Sequence, residues 1–171
     1  MMDKILEELP KNAKEKYLET KKYFARLKKK KPKRLDLLMK DLHDEEFAKT
    51  DCLTCANCCK TTSPIFRESD IKKLAKRFRV KTHQFITEYL KQDIDGDYVL
   101  HSAPCPFLWD NNECSVYEDR PLACKEYPHT NRKNMFQILD VTIKNLEICP
   151  AVCEIVDKIE PTLATKTYRT N

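Results

Sequence analysis

The chain has 171 residues, enough for one domain that buries a core without disulfide staples, together with an accessory arm. Charged residues make up 35% and hydrophobic ones 41%, which excludes a disordered chain, and no apolar run is long enough for a bilayer-spanning helix, so no membrane insertion is expected. The N-terminus, Met1 to Glu8, is acidic and amphipathic rather than signal-like, so a cytoplasmic location is expected.

Helical spacing of Ala13, Tyr17, Phe24 and Leu27 predicts a helix from Asp3 to about Lys31, with a break or fresh start at Pro10 and an end at Pro32. A second amphipathic helix carrying Leu35, Leu38, Met39 and Leu42 runs to about Lys49. Lys28, Lys29, Lys30, Lys31, Lys33 and Arg34 make residues 1–49 a basic helical arm. Contact with nucleic acid through this arm is one reading, but lysines complementing a helix C-terminal dipole account for the cluster more simply. The partner expected otherwise is a protein or a small molecule.

Past the first cysteines, Ser69 reads as an N-cap for a helix with Ile71, Leu74, Ala75 and Phe78, and Thr82 as one for a helix with Phe85, Ile86, Tyr89 and Leu90. Asp95-Gly96, with the only glycine, predicts a hairpin turn into Tyr98-Val99-Leu100. Asp93, Asp95 and Asp97 do not make an EF-hand, because the glycine is misplaced and the closing glutamate missing. Pro104–Trp109 and Cys114–Tyr117 read as two short strands, Met135–Val141 as another, and Cys149–Ile159 as a last helix stopped by Pro161. The expected fold is mainly α with a small β-hairpin: an irregular cysteine-rich domain over residues 50–161, stabilised by its metal, behind the arm and followed by a frayed tail over 162–171.

Nine cysteines without an export signal point to metal or redox chemistry, because a reducing compartment disfavours structural disulfides and an odd count cannot pair completely. The C-x2-C-x2-C run of Cys52, Cys55 and Cys58 brings successive thiols within reach of one centre, the spacing of ferredoxin-type iron–sulfur sites, which also need a fourth cysteine from elsewhere. Zinc more often uses two separated pairs. Cys59 adjoins Cys58; neighbouring side chains in an irregular segment diverge, which gives Cys59 either a second role or that of a buried thiol. Cys105, Cys114 and Cys124 follow, then Cys149 and Cys153, four apart on one helix face, either ligands or small apolar packing groups beside Ile148, Val152 and Val156. All nine are candidate metal ligands, for an iron–sulfur cluster first and zinc second. His101 and His129 are weaker candidates. Lys60, Arg120 and Lys125 could offset thiolate charge, Arg120 best; its alternative role is tying loop carbonyls together.

The combined motifs C-x2-C-x2-C-C, Cys105-Pro106-Phe107-Leu108, and Cys114-x-Val116-Tyr117-x2-Arg120-Pro121-x2-Cys124-x2-Tyr127-Pro128 resemble the YkgJ-like cysteine-cluster family over about Cys52 to Cys153. The resemblance implies zinc or iron chelation by these cysteines. A similar pattern occurs in flagellin lysine methylases, which makes an enzyme the alternative, yet a chain with one glycine has no glycine-rich nucleotide loop. A zinc-stabilised module binding nucleic acid or protein is the third reading.

Overall fold

The computed structural model describes residues 2–165 and Tyr168. Of the expected tail, residues 166, 167 and 169–171 lie outside the described residues. The fold is mainly α with one two-stranded antiparallel hairpin, as the sequence predicts. The chain divides into two compact units, Met1–Asp51 with Pro128–Asn171, and Cys52–Tyr127.

The first unit is helical. Helix α1 (Met2–Lys30) passes through Pro10 without ending, contrary to the expected break. Proline there removes one backbone donor, while burial of Leu9 and Ala13 on either side holds the segment in place. The helix closes with the Lys31 N–H donating to the Leu27 carbonyl at 2.7 Å, Lys31 being left-handed at φ 45°. Helix α2 (Leu35–Phe47) follows. The expected strand over 135–141 is instead a 3-10 turn, Met135–Gln137, leading into α8 (Leu139–Lys144). Met135, Leu139 and Ile143 recur every fourth residue and are buried, so the helical period wins over β propensity. Helix α9 (Pro150–Leu163) has Pro150 in its first turn and, contrary to expectation, contains Pro161 near its end. Phe24, Leu38, Met39, Met135, Leu139, Val152, Ile155 and Ile159 form the shared core. Helices α1 and α2 thus pack with α8 and α9 around one core.

The second unit opens with the cysteine run and then α5 (Glu68–Phe78), α6 (Thr82–Tyr89), β1 (Leu90–Gln92) and β2 (Tyr98–Leu100), with Leu90 opposite Leu100. The helix starts fall earlier than expected, at Arg67 and Lys81, because Asp70 and Gln84 accept hydrogen bonds from those residues' backbone N–H groups at 3.0 and 2.9 Å. Leu90 belongs to the hairpin rather than to the helix. Leu74, Phe85, Leu100, Phe107 and Val116 form the core, and Phe78, Phe85, Tyr89 and Phe107 stack into an aromatic cluster with centroids 4.9–6.2 Å apart. The two strands expected after Pro104 reduce to one bridge, Leu108 with Cys114, around a turn closed by Trp109 N–H to Glu113 O at 2.8 Å.

Candidate metal centre

The C-x2-C-x2-C-C run folds as two single helical turns, α3 (Cys52–Cys55) and α4 (Asn57–Thr61). They are hinged at Ala56, which is left-handed at φ 48°. A left-handed non-glycine residue costs about 1–2 kcal/mol, which the bonds around it offset. Ala56 N–H donates to Cys52 O at 2.8 Å, and the N–H groups of Cys59 and Lys60 donate to Ala56 O at 3.0 Å each. Cys52 is exposed, while Cys55, Cys58 and Cys59 are half-buried.

Adjacent thiols on a helical turn need not diverge as they do in an extended segment. The Sγ atoms of Cys58 and Cys59 lie 4.0 Å apart, in weak hydrogen-bond contact. The second cysteine segment is fastened to the first by the main chain, with Cys105 N–H donating to Cys59 O at 2.8 Å. Phe107, two residues on, is buried in the aromatic cluster and anchors that segment. Cys114 is held by its bridge to Leu108 and by Ser115 N–H to Phe107 O at 2.8 Å. Cys124 lies on a third piece, α7 (Leu122–Glu126), whose first N–H donates to the buried Asp70 carboxylate at 3.3 Å.

Electrostatically these thiols form one group. The hydrogen bond from Cys58, helped by Arg120 and Lys60, holds the Cys59 thiol down at about 7. Burial first, and then the neighbouring thiols, push Cys105 up to about 11 and Cys124 up to about 12, and burial raises Cys114 as well. Cys59 acts on all three of them, and Arg120 draws Cys59, Cys114 and Cys124 down. The Arg120 guanidinium stacks 3.6 Å from the Tyr117 ring centroid and donates through Nε to Tyr117 O at 2.9 Å. Both roles expected of Arg120, loop tie and cation beside the thiols, therefore coexist. Asp119, held by Arg77 at 2.9 Å and Lys73 at 3.1 Å, fixes the same loop onto α5.

Among the described residues, no three histidine, cysteine, aspartate or glutamate side chains are placed so as to hold a metal ion. The chemistry of the donor set nevertheless fits a thiophilic metal. Buried thiols that resist ionisation alone are ionised readily once a cation shares their site, and soft sulfur donors suit zinc and iron–sulfur centres. His101 is engaged within its own unit, its Nε2–H donating to Thr87 O at 3.1 Å. Cys149 and Cys153 lie in the other unit, where Cys153 donates to Leu146 O at 3.3 Å and burial raises its thiol to about 11. The anchoring role of Phe107 and the buried carboxylate of Asp70 are the pieces that the sequence reading missed; the capping position of Asp70, three residues after Arg67, was the signal available for the second.

The fold and these thiols define a cysteine-cluster protein. Residues 51–154 match the CxxCxxCC family model, described as a putative zinc- or iron-chelating domain, and the chain belongs to that family. No curated protein and no solved structure matches it. No helix among the described residues is long and apolar enough to cross a membrane.

Proposed function

We propose that the protein holds an iron–sulfur cluster on thiolates of the second unit, with Cys59 at the centre of the donor set and Cys58, Cys105, Cys114 and Cys124 the other principal donors. The observation that carries this reading is the fastening of separate cysteine segments at one place: the Cys58 and Cys59 Sγ atoms lie 4.0 Å apart, Cys105 N–H donates to Cys59 O at 2.8 Å, and Cys114 is bridged to Leu108. Cys52 and Cys55, on the turn preceding Cys58, are the remaining donors within the same stretch. The C-x2-C-x2-C spacing favours a cluster over zinc, and the number of thiols exceeds the four that one tetrahedral zinc takes. When bound, such a centre supplies one-electron chemistry or a structural clamp. Arg120 offsets part of the thiolate charge, and the aromatic cluster beneath Cys105 keeps one side of the site dry.

Purification of the full chain without oxygen, followed by iron, zinc and acid-labile sulfide analysis with an absorption spectrum, tests the reading. Iron and sulfide in matching amounts, with broad visible absorption that bleaches on reduction, is the expected result. Colourless protein with stoichiometric zinc would overturn the cluster and leave a structural metal.

A further inference from the structure

We propose that the first unit carries a nucleic-acid backbone-binding surface assembled from two distant chain segments. It is independent of the metal reading. The basic run that ends α1 and enters α2, Lys28 to Arg34, is joined in space by Arg132 and Lys133, about a hundred residues later. Three contacts make the junction. The Asp36 carboxylate accepts the N–H groups of Asn134 and Met135 at 2.7 and 2.9 Å, Lys31 Nζ sits 4.9 Å from the Phe136 ring centroid, and Lys28 pairs with Asp140.

Within residues 28–36 and 131–140 there are eight basic side chains against two carboxylates, a surplus larger than the formal +5 of the whole chain. Both carboxylates are committed, Asp36 to backbone N–H groups and Asp140 to Lys28. Lys29, Lys30, Lys31, Lys33, Arg34, Arg132 and Lys133 are all exposed. The left-handed residue that closes α1, a position where glycine is the usual choice, is Lys31, so even the helix cap presents charge.

A polyphosphate backbone fits this surface better than a lipid bilayer does. Peripheral membrane binding combines basic groups with apolar side chains that enter the interface. In these two segments Leu35, Met135 and Leu139 are buried and Phe136 lies against Lys31; the exposed apolar side chains at their edges, Leu37 and Val141, are two single residues rather than an apolar face. Lysine-rich surfaces of this kind neutralise phosphates without reading bases, which predicts weak sequence preference and a steep salt dependence.

The test is fluorescence anisotropy of the full chain with a labelled 20-nucleotide single-stranded RNA and a labelled 20-base-pair DNA, across 50 to 200 mM salt. Arg132→Glu with Lys133→Glu should weaken binding about tenfold or more and flatten the slope of log affinity against log salt. Lys11→Glu with Lys14→Glu changes net charge equally and lies on exposed positions of α1 more than a dozen residues away; it should leave binding within about twofold. Arg132→Gln with Lys133→Gln replaces the reversal if circular dichroism shows that the latter fails to fold, and should weaken binding at least threefold. Equal losses from the two reversals, no binding of either nucleic acid at 50 mM salt, or binding only to vesicles containing 30% phosphatidylserine would each overturn the proposal.

Discussion

The backbone N–H of Cys105 donates to the carbonyl oxygen of Cys59 at 2.8 Å. This bond joins the cysteine run to the Cys105-Pro106-Phe107-Leu108 segment, so two thiols far apart in sequence are positioned by the main chain rather than by side-chain flexibility. Phe107 then ties that junction to the core. Phe107→Ala removes a side chain only 4% exposed and should cost about 3–5 kcal/mol. Thermal denaturation gives the stability, and metal analysis of the same sample should show reduced occupancy. Unchanged stability would mean that the aromatic cluster does not support the site.

Thiol reactivity in metal-stripped protein should be unequal. Cys59, held down at about 7, carries substantial thiolate at neutral pH, whereas Cys105 and Cys124, raised to about 11 and about 12 by burial, carry almost none. Iodoacetamide labelling followed by peptide mapping should find Cys59 ahead of both, slowing as the pH falls below 7.

Arg120 lowers the Cys59 thiol, so Arg120→Gln should raise it and slow labelling of Cys59 at pH 7 by about two- to fivefold. The whole pH–rate profile should move to higher pH. A profile that stays in place would show that Arg120 acts only through Tyr117, as a loop tie.

Glu46 is buried in the first unit, its side chain 3% exposed, and pairs with Lys49 at 3.0 Å and with Lys158. Although burial opposes ionisation, its hydrogen bonds to Lys158 and Lys49 leave the carboxyl below its ordinary value. The stabilisation is therefore complete above the unfolded carboxylate value, about 4.3, and is lost as pH falls through the lower folded value. The melting temperature of the natural chain should drop more between pH 6 and pH 3 than that of Glu46→Gln. Parallel curves would contradict this.

Much of the fold was legible because helical periodicity is dense in both units, and the Asp95-Gly96 turn located the hairpin. Met135–Val141 was misread as a strand: Met-Phe, Ile-Leu and Val mix two apolar periods, and only burial of Met135, Leu139 and Ile143 decides between them. Pro10 and Pro161 punctuate the sequence but not the helices, since packing of Leu9, Ala13 and Ile159 outweighs one lost hydrogen bond at each site. For the site, cysteine spacing drew attention to Cys52, Cys55 and Cys58. Cys59 lies with its Sγ 4.0 Å from that of Cys58, and the helical turn that brings the two together is a backbone detail that spacing alone does not carry.

Differential alkylation of the anaerobically prepared full chain, before and after chelator treatment, reads out which thiols hold the metal. Cys58, Cys59, Cys105, Cys114 and Cys124 should be protected together in the loaded protein, at least Cys59 should become reactive once metal is removed, and Cys149 and Cys153 should label identically in both states. Equal labelling of Cys59 in both states, in protein shown to carry metal, would contradict it and place the metal elsewhere in the chain.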